Sequence, residues 1–165
     1  MISCGIDYST ANIGVSIVEK RDRSWDLHFA TTISLGHIES HSIKRIYACD
    51  VIGPILREFN PELVLMERIR LFKSSFISFD AIVRLSAIFA AIVDLRVAPV
   101  YSADTNSIRK NVLGRAKATK EDVVDWVNKK WDLDLSDKKH DLADSIVIAE
   151  APFYEPIWRS MKLQS

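Results

Sequence analysis

Only two cysteines, Cys4 and Cys49, occur among the 165 residues, and they share no C-x-x-C spacing. Both fall in apolar stretches. That excludes a disulfide framework and a thiolate zinc site, and leaves them as small buried hydrophobes in a reducing compartment. No apolar run reaches the ~18–20 residues that a membrane span needs; the longest, Ala81 to Val93, is broken by Arg84 and Ser86. Nothing like a secretory signal precedes the first strand, so the cytoplasm is the expected location. Net charge is absent too, with 22 basic and 22 acidic residues, which weighs against a uniformly basic nucleic-acid binder. Low-complexity tracts and internal repeats are missing. What remains is 48% apolar, and its length suits one domain, 1–165, with a single substantial core.

Charge is unevenly spread. Arg109, Lys110, Arg115, Lys117 and Lys120 follow one another with no acid between Asn106 and Lys120. Arg68, Arg70 and Lys73 come just after Glu67, and Lys20, Arg21 and Arg23 cluster at a hairpin tip. Acids gather from Glu121 to Asp144, so a polarised surface is expected.

The chain opens with an alternating strand, Ile2 to Asp7, that delivers a carboxylate into a polar turn (Ser9, Thr10, Asn12). Gly14 to Val18 and Trp25 to Ile33 continue it as an antiparallel meander. Apolar residues at helical intervals (Ile43, Ile46, Tyr47, Val51, Ile55, Phe59) predict a helix over 39–59 that stops at Asn60-Pro61. Leu63 to Met66 has the continuous apolar run of a strand covered on both faces, and it ends in Glu67. A strong helix follows over Ser74 to Arg96. It is apolar nearly all round, so it is either buried within its own domain or carries a second stripe, with Ile88 a candidate contact, that packs on another copy of the chain. Val97 to Tyr101 predicts a last strand, which Pro99 places at the sheet edge. Next come a basic helix over Asp104–Leu113, a loop at Gly114, and a helix with a capping-box start at Thr119-x-x-Asp122. A helix beginning at His140 places Asp141 and Asp144 on one face, one turn apart. The tail after Pro152 (Phe153, Tyr154, Trp158) is expected to clamp the body.

Each acid alone has an ordinary explanation: a strand must end in something polar, and the first turn of a helix favours acids through its dipole. Together they do not. Asp7 and Glu67 end strands that a crossover would set side by side, and Asp141 and Asp144 sit on a helix that is otherwise apolar. Four converging carboxylates repel unless divalent cations lie between them, and hard oxygen donors suit magnesium, with manganese as a substitute. His140 is a lesser candidate ligand. Two such ions ~3.5–4 Å apart can activate a water and stabilise the leaving oxygen of a phosphodiester, while the basic stretches grip the polyanion.

The ordered set Gly5-Ile6-Asp7, Pro61-Glu62-Leu63-Val64-Leu65-Met66-Glu67, the Gly114–Lys120 loop and His140-Asp141-Leu142-Ala143-Asp144-Ser145 resembles the RuvC family of Holliday-junction resolvases, from residue 1 to about 150. The resemblance implies an RNase H-like α/β fold. Its five-stranded mixed sheet would join the three-strand meander to parallel strands, with helices on its flanks. It also implies a homodimer that nicks opposed strands of a four-way DNA junction symmetrically with magnesium or manganese. Asp7, Glu67, Asp141 and Asp144 would then be the catalytic metal ligands, with His140 or Asp141 contributing from the start of the last helix. Lys120 matches a basic residue near the scissile phosphate, Arg109 a DNA-contacting position, and the Ser74–Arg96 helix the dimer interface. Three departures stand out. Tyr8-Ser9 replaces Pro-Gly after the first acid. Arg70, followed by Phe72, stands where an aromatic wedge is usual. Ala116 replaces a second glycine in the basic loop. They point to relaxed sequence selectivity, a broader range of branched DNA, and a phage-encoded branch.

Three rival readings are weaker. An ATP-binding module of the actin and sugar-kinase type needs a second glycine-rich phosphate turn, which five glycines do not supply. An RNA-cutting relative of the same fold would not need a long dimer helix. A non-catalytic junction binder would be expected to lose acids that face phosphate.

Overall fold

The computed structural model describes residues 1–68, 79–136, 138–154, 157 and 161–164. Strands β1 (Ile2–Tyr8), β2 (Asn12–Lys20) and β3 (Trp25–Ser34) form the expected antiparallel meander. Helix α1 (His41–Phe59) leads to β4 (Leu63–Glu67), and α2 (Phe79–Asp94) leads to β5 (Val100–Ala103). Helices α3 (Thr105–Leu113), α4 (Lys120–Trp131) and α5 (His140–Glu150) follow, and β6 (Lys162–Gln164) comes last. The sheet order is β3-β2-β1-β4-β5-β6; β1, β4 and β5 are parallel and β6 returns antiparallel.

Strand alternation sorts the core onto two faces. Cys4, Ile6, Val64, Met66 and Val100 face α1 and α2. Leu63, Leu65 and Ala103 face α3, α4 and α5. Side chains alternate along a strand, so Asp7 and Glu67 belong to the second face.

The structure corrects several expectations. The sheet has six strands, not five, because β6 pairs with β5 through Ser102–Lys162, Tyr101–Leu163 and Val100–Gln164. A three-residue strand whose middle residue, Leu163, is 60% exposed carries no hydrophobic pattern to announce it. Pro99 is not in an edge strand. β5 begins after it and lies inside the sheet, and the Pro99 carbonyl accepts from the Val64 amide at 2.9 Å. In α1, Ile43 and Ile46 are each 55% exposed and Tyr47 is also exposed; the sheet-facing stripe is Ala48, Ile52 and Leu56. Buried Lys44 fixes that rotation, since its ammonium donates to the Thr10 carbonyl at 2.7 Å.

Helix α2 divides its apolar surface. Ile88 is 2% exposed and joins Ile92 in the core, so it cannot be an outward contact. Val83 is 49% exposed, and Ser86 and Ala90 are exposed on the outward side. Residues 74–78 of the expected helix lie outside the described residues, as does Trp158. Two members of the expected C-terminal clamp are in place: Phe153 meets Trp25 edge-on at 5.1 Å and Tyr154 lies 6.1 Å from the same ring. No helix among the described residues is long and apolar enough to cross a membrane.

Candidate active site

Register brings the first two acids together. β1 pairs in parallel with β4 through Ile6 and Met66, so Asp7 and Glu67 are the next residues at the same ends of neighbouring strands. Helix α5 brings the other two. It lies on β1 and β2 so closely that a Cβ added at Gly14 would sit 2.0 Å from the Asp141 carbonyl oxygen. One added at Gly5 would meet the Ala149 nitrogen and the Ser145 oxygen at 2.2 Å. Only glycine permits backbone contact of this kind. Between these two points Ser16 and Ser145 share a buried hydrogen bond of 2.6 Å. The N-terminal turn of α5, with Asp141 and Asp144, is thereby fixed over the Asp7 end of β1.

The electrostatics follow from this convergence. The Asp7 carboxyl is held well above the ordinary aspartate range, first by burial, then by the charges of Asp144, Glu67 and Asp141; Lys120 opposes them. Asp144 is also raised, by burial first, although Arg109 and Lys120 pull it back and Asp141 adds to the rise. The Tyr8 hydroxyl is pushed up by burial and by Glu67 and Asp7, and it donates to the Glu67 carbonyl at 3.3 Å.

Two of the carboxylates have protein partners. Arg109 Nη2 donates to Asp144 Oδ1 at 3.1 Å, with both side chains only 16% exposed. The Thr105 hydroxyl donates a hydrogen bond to Glu67 Oε1. Among the described residues, no three His, Cys, Asp or Glu side chains close into a ready-made metal cage. The four acids share one end of the sheet as mutual electrostatic neighbours, without ligating geometry.

The chemistry of the donors nevertheless suits a hard divalent ion. All four are carboxylates, and burial with mutual repulsion is the condition that such a cation relieves. Cys4 points to the opposite face of the sheet. His140 is electrostatically coupled to Glu121 at the start of α4, whereas the acids coupled to Asp7 are Asp144, Glu67 and Asp141. The His140 Nδ1 is buried without a hydrogen-bond partner.

The basic residues divide by environment. Lys120 is exposed, yet close enough to act on both Asp7 and Asp144. Lys110 and Lys117 are exposed, and Arg115 pairs with Asp122 at 3.1 Å. Arg68 folds back on β5, donating from Nη2 to the Ser102 carbonyl at 3.1 Å. Arg109, expected on the DNA flank, is turned inward. Arg70, Phe72 and Lys73 lie outside the described residues. Sequence reasoning missed Thr105 and Tyr8. The pairing of Glu67 with Ala103 puts the start of α3 beside Glu67, and only the strand register reveals that.

Residues 3–151 match the family described as crossover junction endodeoxyribonuclease RuvC. The chain belongs to the RuvC family. It is 27% identical over 154 residues to the RuvC of Chlorobium chlorochromatii, spanning 90% of this chain and 77% of that one. It is 23% identical over 145 residues to the RuvC of Prochlorococcus marinus, covering 88% and 91% of the two chains. Among solved structures, Thermus thermophilus RuvC superposes with a TM-score of 0.77 at 20% identity, covering 99% of this chain and all of that one. The same protein in complex with a Holliday junction substrate gives 0.81 at 17% identity and the same coverage. These likenesses establish the fold: a mixed sheet with flanking helices, of RNase H-like type. RuvC-family nucleases depend on divalent metal.

Proposed function

We propose that this RuvC-family chain is a magnesium-dependent endonuclease, with manganese as a substitute, that resolves four-way DNA junctions by paired symmetric nicks. One observation carries the reading. Asp7, Glu67, Asp141 and Asp144, far apart in sequence, meet at one end of the sheet, where Asp7 is held high by burial and by the other three. Such a cluster lowers stability unless a cation joins it.

Asp7, Glu67, Asp141 and Asp144 are the residues that would hold the metal. Bound there, two divalent ions supply an activated water and charge stabilisation at the leaving oxygen. The protein's own part is positional. Rigid contacts of α5 with β1 and β2 fix the acids. Lys120, at the rim, faces the place where negative charge grows on the phosphate. Lys110, Lys117 and Arg115 extend the basic flank along which a backbone would lie. The outward side of α2, with Val83 and Ala90, supports a homodimer through this helix. A dimer places two such sites for the two opposed strands. The chain works as one nuclease unit.

The test uses labelled synthetic four-way, three-way and linear DNA, and an RNA duplex, with magnesium, manganese, calcium or chelator. Paired nicks at symmetric positions of the four-way substrate, dependent on magnesium or manganese, are the expected result. Cleavage that persists in chelator, or equal cutting of linear duplex, would overturn it. Preferential cutting of RNA would move the chain to another substrate class.

A further inference from the structure

The first turn of α4 places Lys120 where the helix dipole disfavours a cation, so local helix energetics do not account for it. The capping box of Thr119 and Asp122 fixes the backbone at this point: Asp122 Oδ2 accepts from the Thr119 amide at 2.9 Å, and Thr119 Oγ1 accepts from the Asp122 amide at 3.2 Å. That box sets the helix start, but it does not tie the helix start to the acids.

Arg109 makes that tie. Its Nη1 donates to the Ala118 carbonyl at 2.7 Å, two residues before Lys120, while Nη2 of the same planar group donates to Asp144 at 3.1 Å. Its Nε is buried without an acceptor, so the guanidinium sits there at some expense to folding. A rigid fork serves this bridge better than a lysine, whose single ammonium lacks two donors in fixed geometry.

We infer that Arg109 is a positioning residue: it clamps the 114–119 loop to helix α5 and so sets the distance between Lys120 and the acidic cluster. The inference rests on the nuclease reading for its consequence in catalysis, but its structural half stands alone. Catalytic placement is sensitive, with ~1 Å of displacement able to cost about 100-fold in rate.

The test compares wild type, Arg109→Ala, Arg109→Lys, Lys120→Ala and the double variant Arg109→Ala with Lys120→Ala. Single-turnover cleavage of a four-way junction is followed at saturating magnesium, and junction affinity is measured in calcium. Hydrogen exchange of the free proteins is followed by mass spectrometry. Arg109→Ala should slow cleavage about 10–100-fold with affinity within about threefold. The double variant should be little slower than Lys120→Ala alone, because both act through one group. Exchange across residues 115–120 should quicken while residues 123–127 stay protected. Arg109→Lys should restore part of the protection and less of the rate.

Unchanged exchange across 115–120 would overturn the inference whatever the activity. So would additive rate losses, or a defect confined to affinity, which would make Arg109 a DNA clamp. Should wild type not cut at all, the nuclease reading falls, and the exchange arm still decides whether Arg109 holds the loop.

Discussion

Asp7 stands directly opposite Gly14 across the β1–β2 ladder, and the missing side chain of that glycine is what lets the Asp141 backbone descend onto the sheet. The acid and the space above it are thus paired in one cross-strand step.

Gly14→Ala and Gly5→Ala should therefore each destabilise the protein, by about 3 kcal/mol, since the new methyl meets backbone atoms that cannot swing aside. Denaturant melts provide the measurement. Gly36→Ala is the control: nothing lies within 4 Å of its Cβ position, and it should change little.

Asp7→Asn should abolish cleavage while junction binding survives or tightens, because a negative charge facing phosphate disappears. In chelator the same variant should be more stable than wild type at neutral pH, by ~1 kcal/mol. The sign follows from linkage. A carboxyl whose folded pKa is raised favours the fold while protonated, and that advantage is lost as pH rises through the folded value. The gain from asparagine is thus largest above that value and vanishes below the ordinary aspartate range. Melting temperatures across pH, with chelator, measure it. A loss of stability at neutral pH would mean that the Asp7 carboxylate is a net stabilising partner.

Lys130 is ion-paired to fully buried Glu150, with its ammonium 4.0 Å from the Trp25 ring centre and 5.0 Å from that of Trp126. Lys130→Met should cost about 3 kcal/mol, chiefly because the buried Glu150 carboxylate loses its countercharge and keeps only the Tyr154 hydroxyl, which donates to it at 2.6 Å. Lys130→Met with Glu150→Leu should recover most of that loss. Double-mutant thermodynamics by calorimetry give the answer. Cleavage measured well below the melting point should be unaffected, since this cluster lies at the far end of α5 from Asp141 and Asp144.

On α2 the outward and inward residues should separate in their effects. Val83→Glu and Ala90→Glu should give folded monomers, seen as halved mass in light scattering with little change in melting temperature. Ile88→Glu should instead unfold the chain, by burying a charge in the core. An unchanged mass for both outward variants would argue against dimerisation through this helix.

Much of this arrangement was legible because it depends on local rules. Alternation and short turns gave β1 to β3, a continuous apolar run gave β4, the capping box gave the start of α4, and i, i+3 spacing put Asp141 beside Asp144. The acids were found because each ends a strand or begins a helix. What escaped was set by tertiary contact. The rotation of α1 depends on Lys44 reaching Thr10, 34 residues away in sequence, and two overlapping apolar stripes hid which one faced the sheet. Arg109 reads as a DNA-contacting base; its inward turn needs Asp144 and Ala118 in place. Thr105 reaches Glu67 only through the β4–β5 register, and β6 has no pattern of its own.

Helix α5 touches the sheet main chain against main chain, so the spacing of the carboxylates is calibrated by bond lengths and not by the bulk of neighbouring residues. Hydrophobic identities around it can drift without moving the calibrated point. This offers a material reason why a chain sharing only 20% of its residues with the Thermus protein still overlays it along nearly its whole length.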